Sequence, residues 1–231
     1  MGEEIRLTAS DGGQFAAYLA LPARLPAPAL IVLPEVFNTN PHIRSVTDGY
    51  AVDGFIALAP DVFWRQEAAC YLPYTDEGRA KARALWAELD TDQFARDLGD
   101  IVASLRARPD CTGKVGVMGF CLGGKFSYLA STRLPVEAAV SYYGVQIDQH
   151  LGEAAKRGCP ILMHFAGDDP HVPEATVAAI RARLGGEAGV EIHVYPGTEH
   201  GFNRQGYPPF NEVAAGEARH RTLALLRDRL T

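Results

Sequence analysis

The sequence predicts an α/β fold, a mainly parallel central sheet with helices on both faces, built as a single domain over residues 1–231. Three observations carry this expectation. Short continuous apolar runs, at 29–33 and 55–59 first of all, read as strands buried on both faces of a parallel sheet. Segments with apolar residues three and four apart alternate with those runs, and the alternation continues to the end of the chain. A chain of 231 residues can bury a substantial core without disulfides or metals, and no internal repeat, low-complexity tract or linker divides it.

Taken in order, 5–8 and 15–21 are strands joined through Ser10-Asp11-Gly12-Gly13, a hairpin that forms an antiparallel edge. After a proline-rich link, strand 29–33 stops at Pro34-Glu35-Val36-Phe37-Asn38. A helix follows over 41–52, with Asn40 as its cap and proline at its first position, and then strand 55–59. Residues 60–75 form a long connection containing Trp64, Cys70, Tyr71, Pro73 and Tyr74, and connections of that length commonly cover a binding site, as a lid does. Helices are expected at 76–89 and 91–108. Phe94, Leu98, Ile101, Val102 and Leu105 mark the inner face of the second, which Pro109 ends. Strand 114–118 leads through a glycine-rich turn into a helix. Strands 138–143, 160–166 and 190–195 and helices 172–184 and 212–230 complete the pattern.

Composition excludes several classes of function. With 22% charged residues and a net charge of −6, nothing sequence-wide attracts nucleic acid or an anionic membrane, so an anionic ligand would need a local arginine site. Cys70, Cys111, Cys121 and Cys159 lie far apart with no C-x-x-C pair, which argues against zinc ribbons, thioredoxin-type sites and a disulfide scaffold. The start, Met1-Gly2-Glu3-Glu4-Ile5-Arg6, is acidic and lacks the form of a secretory signal, and no apolar run reaches membrane-spanning length. The expected setting is the cytoplasm.

In open parallel sheets ligands gather at the carboxyl ends of the strands, where Glu35, Cys121, Asp169 and His200 are all expected. Gly119-Phe120-Cys121-Leu122-Gly123-Gly124, between a strand and a helix, has the form of a nucleophile elbow with a thiol at its centre. The helix start favours a thiolate there. Cys121, then Asp169 or its neighbour Asp168, then His200 is the nucleophile–acid–histidine order of α/β-hydrolases. His200 would take the thiol proton and the acid would fix the imidazole tautomer. The Leu122 backbone N–H would supply one oxyanion donor, and the turn after strand 29–33 the other, at Val36. His164, His171 and Asp168 lack a recognised ligand spacing, so no metal is expected.

Leu33-Pro34-Glu35-Val36-Phe37 with Asn40, the elbow, Tyr142-Tyr143-Gly144, Gly167-Asp168-Asp169-Pro170-His171-Val172-Pro173 and His200-Gly201-Phe202 together resemble the dienelactone hydrolase family, the carboxymethylenebutenolidases. The resemblance spans nearly the whole chain. It implies an α/β-hydrolase fold and a cofactor-independent enzyme whose Cys-Asp-His triad opens a small carboxylate-bearing enol lactone, dienelactone, to maleylacetate. It selects Asp169 over Asp168 for the acid. It gives Glu35 the task of taking up the thiol proton when substrate arrives, Arg79 and Arg204 that of binding the substrate carboxylate, and Trp86 a place in the pocket wall. Phe37 and Tyr142 are further candidates for contact with substrate, although aromatic rings such as these, Trp86 and Phe202 are more often core than pocket. The expected partner is therefore a small anionic lactone or ester, bound by a monomer or weak homo-oligomer. Two positions depart from the family pattern: Arg83 stands where it has tyrosine, and Gly201 where it has serine. They leave room for other small esters, thioesters or lactones as substrates. Other classes of function are a binding module on this scaffold whose thiol turns nothing over, and a redox-sensing thiol.

Overall fold

The computed structural model describes residues 1–231, and the chain divides into two compact units, Met1–Gly116 and Val117–Thr231. In the first, β1 (Glu3–Thr8) and β2 (Gln14–Ala20) form the expected hairpin, with Glu3 opposite Leu19 and Thr8 opposite Gln14. Strand β3 (Ala27–Leu33) is buried along its whole length, as its unbroken apolar sequence requires. It runs parallel to β4 (Ile56–Pro60), which pairs antiparallel with β2 on its other side. Between β3 and β4 lies α1 (Pro41–Val52). Asn40 caps it by accepting the Ile43 N–H at 3.1 Å, and Pro41 sits where no N–H is needed.

Helix α2 (Asp76–Ala87) begins at Thr75, whose hydroxyl accepts the Gly78 N–H, with Asp76 and Glu77 at the positive end of its dipole. Helix α3 (Thr91–Arg106) is capped by Asp90 and buries Phe94, Leu98, Ile101, Val102 and Leu105, the predicted stripe. Strand β5 (Cys111–Phe120) carries the chain from the first unit into the second. It starts three residues earlier than the apolar run, because its first four residues are partly exposed and leave no apolar signal.

The second unit holds α4 (Leu122–Arg133), β6 (Ala138–Tyr142), β7 (Ile161–Ala166), α5 (Glu174–Leu184), β8 (Val190–Tyr195) and α6 (Glu212–Leu230). β6, β7 and β8 are parallel neighbours, with Ala139 opposite Ile161 and Ile161 opposite Val190. Residues Ile147–Lys156 form a 3-10 helix that the sequence pattern does not announce. α4 is buried from Leu122 through Thr132. The eight strands make one sheet in the order β1-β2-β4-β3-β5-β6-β7-β8. No helix is long and apolar enough to cross a membrane.

Candidate active site

The elbow is a strained piece of backbone. Cys121 occupies the N-cap of α4 with φ 54° and ψ −112°, a conformation that costs a residue with a side chain about 1–3 kcal/mol. Its surroundings hold it there: the Cys121 N–H donates to the Tyr142 carbonyl at 2.9 Å, and its own carbonyl accepts from Lys125 N at 3.2 Å and Val145 N at 3.3 Å. Close approach of two backbones explains the glycines nearby. A Cβ on Gly124 would lie 2.7 Å from Gly144 Cα, and one on Gly144 would lie 2.9 Å from the Gly124 carbonyl carbon, so the last elbow glycine and the glycine of Tyr142-Tyr143-Gly144 require each other.

Asp169 follows β7 and its side chain is fully buried. Oδ1 accepts the backbone N–H groups of His171 at 2.8 Å and Val172 at 3.2 Å, which turns Oδ2 toward His200 Nδ1, 2.7 Å away. The other hydrogen-bond partner of His200 is the Cys121 side chain. Burial is the largest single influence on His200 and pushes its pKa down. The negative charge of Cys121, the Asp169 hydrogen bond, the Cys121 hydrogen bond and the Asp169 charge together outweigh it and raise the value from 6.5 to about 10. Sulfur, imidazole and carboxylate thus form one connected line. Asp168 is exposed and donates its N–H to the Thr198 carbonyl at 2.8 Å.

The loop bearing His200 hangs on Phe202, a fully buried ring 5.1 Å from Tyr195 and 5.5 Å from Tyr143. Tyr143 and His171 meet the His200 ring edge-on at 4.9 and 4.8 Å. Tyr143 was not singled out from sequence and His171 was weighed only as a metal ligand, although both lie inside the segments that carry the resemblance. Tyr142 requires a correction. It was expected near the pocket, but it is 1% exposed and its hydroxyl is 2.7 Å from Thr222 Oγ1, so its ring belongs to the core and only its backbone carbonyl serves the elbow. His164, fully buried, bridges Tyr195 and Thr222, away from the exposed Asp168 and His171.

In the first unit, Glu35 is 1% exposed, and its Oε2 accepts the Tyr74 hydroxyl at 2.8 Å. Phe37, also buried, packs edge-on against Tyr74 with ring centres 4.7 Å apart. Val36, between them, is half-buried. The next residue, Asn38, takes a left-handed φ of 62°, which asparagine tolerates well. It donates from Nδ2 to the buried Asp61 at 2.5 Å and accepts Val62 N–H at 3.0 Å. Asp61 also accepts from Phe63 and Ala69, while its burial pushes its carboxyl pKa up. With Leu72 N–H on the Phe37 carbonyl and Asn40 Nδ2 on the Leu72 carbonyl, the connection expected to act as a lid is stitched to the Glu35 loop at several points. On α2, Arg79, Arg83 and Trp86 share one face by their four- and three-residue spacing, the arginines exposed and the tryptophan half-buried.

Cys121, the buried Asp169 and His200 follow the ends of β5, β7 and β8 of a mostly parallel sheet flanked by helices, which is the α/β-hydrolase fold. The family model of the dienelactone hydrolase family matches residues 15–230, and the chain belongs to that family. A protein of Azospirillum brasilense, provisionally named a carboxymethylenebutenolidase, is 36% identical over 98% of this chain and 99% of its own length. The carboxymethylenebutenolidase of Pseudomonas putida is 31% identical over 97% of this chain and 95% of its own. A crystal structure from Klebsiella pneumoniae, provisionally named a dienelactone hydrolase, superposes with a TM-score of 0.87 at 26% identity, covering 98% of this chain and 99% of that one. The chain is a hydrolase of the ester or lactone kind.

Proposed function

We propose that this hydrolase opens a small enol lactone bearing a carboxylate, of the dienelactone-to-maleylacetate type, with Cys121 as nucleophile, His200 as acid–base and Asp169 as its orienting acid. The observation that carries the proposal is the connected line of Cys121, His200 and Asp169 at a strained elbow. The Cys121 thiolate attacks the lactone carbonyl carbon, and the carbonyl electron pair moves to oxygen, where the Leu122 and Val36 N–H groups receive it. Collapse of this adduct breaks the ring C–O bond. The enolate leaves, takes up the proton that the thiol gave up and becomes a ketone, and a thioester remains on Cys121. Water, giving one proton to His200, attacks the thioester; the C–S bond breaks, the sulfur recovers that proton from His200, and the product acid departs as its carboxylate after losing its other proton to solvent.

Glu35 takes up the thiol proton when substrate arrives, which limits idle reactivity of the sulfur. Its buried carboxyl group is held in place by the Tyr74 hydroxyl, which donates to Oε2 at 2.8 Å. Arg79 and Arg204 receive the substrate carboxylate, as planar guanidinium forks do well. Trp86 and Phe37 line the acyl region. The protein works in the cytoplasm as one domain, a monomer or weak homo-oligomer, on small molecules and without nucleic acid or membrane. The second reading, carried by Arg83 and Gly201, is that an altered pocket applies the same chemistry to other small esters, thioesters or lactones.

The test is mass spectrometry of the protein mixed with dienelactone or an activated ester. A transient mass increase equal to the acyl group, located on Cys121 and lost in Cys121→Ala together with turnover, is expected. Undiminished lactone hydrolysis by Cys121→Ala would defeat the mechanism.

A further inference from the structure

We infer that Gly201 is a specificity-determining residue: its missing side chain lets the Arg204 guanidinium lie against the backbone next to His200, which fixes where an anionic acyl group is held. This rests on the proposed role of Arg204 as the carboxylate ligand and adds what places it. The loop folds back on itself in two turns, with Phe202 N–H on the Glu199 carbonyl at 3.1 Å and Arg204 N–H on the Gly201 carbonyl at 2.8 Å. The buried Phe202 side chain and the Asn211 N–H on the Phe202 carbonyl hold that fold in place. Arg204 is consequently only 8% exposed.

A Cβ built on Gly201 would lie 2.9 Å from Arg204 Cζ, 2.9 Å from Nη2 and 3.3 Å from Nη1. Three similar distances mean that the planar fork covers the space a side chain would fill. Gly201 also has φ +96°, open to glycine and costly for most other residues. Any side chain at 201 must therefore displace the fork, which the flexible arginine side chain allows, and a displaced fork offers its two parallel hydrogen bonds to a carboxylate at another place and angle. Since Gly201 stands where the resembling family pattern has serine, the device belongs to this chain's own sequence.

The experiment compares wild type, Gly201→Ala, Arg204→Gln and the double variant. The readout is the ratio of kcat/KM for a p-nitrophenyl monoester of glutaric acid, which carries a free carboxylate, to that for the neutral ester of equal length. Gly201→Asn is run in parallel, because asparagine tolerates positive φ and adds the Cβ with less backbone strain. Either change at 201 should lower the ratio about tenfold or more, mainly through KM of the anionic ester. Neither should lower it further when Arg204 is already Gln. A ratio within twofold of wild type for both Gly201 variants, alongside a lowered ratio for Arg204→Gln, overturns the inference and leaves the role of Arg204 standing. An unchanged ratio for Arg204→Gln overturns that role and the inference with it. Equal losses on both esters, repeated in the Arg204→Gln background, would show that position 201 acts on His200 by strain and not through the fork.

Discussion

Replacing Asp169 by asparagine tests the line of residues at its most buried point. The shape is kept: in Asp169→Asn the amide oxygen can still accept the His171 and Val172 N–H groups, as the carboxylate Oδ1 does at 2.8 and 3.2 Å. The atom facing His200 Nδ1 then becomes an amide NH2, a donor in place of an acceptor 2.7 Å away. The imidazole must turn to the tautomer with its proton on Nε2, which cannot accept a proton from the thiol or from water. The charge also disappears. His200 rises from 6.5 to about 10, and at about 1.4 kcal/mol per tenfold in proton affinity this is roughly 5 kcal/mol in favour of imidazolium. Asp169 supplies part of it by charge and hydrogen bond against the opposing effect of burial, and Cys121 the rest. Asp169→Asn should therefore lower kcat/KM about a hundred- to ten-thousandfold, the usual worth of a positioned acid–base group. The His200 titration, followed by NMR of labelled histidine, should move well below 10. Ester hydrolysis between pH 5 and 10 is the assay. Activity within threefold of wild type, or an unmoved His200 titration, would refute the reasoning.

Cys121→Ala removes the largest upward influence on His200 and leaves burial less opposed, so the same NMR titration should shift downward; a midpoint still near 10 would contradict the sulfur–imidazole coupling. Tyr74→Phe takes a donor from the buried Glu35 carboxylate and should raise its proton affinity, moving the acid limb of the pH–rate profile to higher pH, whereas an unshifted limb would separate Tyr74 from the chemistry. Gly124→Ala sets a methyl 2.7 Å from the Gly144 backbone, which cannot swing aside; about 1–3 kcal/mol of stability and several degrees of Tm should be lost by calorimetry, and an unchanged melting temperature would refute the close approach.

The sequence revealed what local physics determines. Parallel strands buried on both faces must be continuous apolar runs, so β3, β4 and β7 stood out. Asn40-Pro41 marked the start of α1 by the chemistry of caps, and glycines clustered where backbones touch. What stayed hidden depends on distant partners. Nothing local in Tyr74 points to Glu35, 39 residues away, or in Asn38 to the buried carboxylate of Asp61. Tyr142 illustrates the opposite difficulty: its place in the chain beside the elbow was legible, but a strand directs successive side chains to opposite faces, and the commitment of its hydroxyl to Thr222 is a tertiary fact. The 3-10 helix at 147–156 escaped because it presents only Ile147 and Ala154 to the interior, too little for a periodic pattern.

The strained turn at Cys121 has a bearing on how such enzymes diversify. The main chain at Cys121 is held by hydrogen bonds to Tyr142, Lys125 and Val145, and none of them uses the Cys121 side chain. The address of the proposed nucleophile is thus written in the backbone and is separate from its identity. An oxygen could occupy that address in place of sulfur without any change in the sheet, the helix or the loop that answers it, so the reactive element can be exchanged by a single substitution while the architecture is inherited intact.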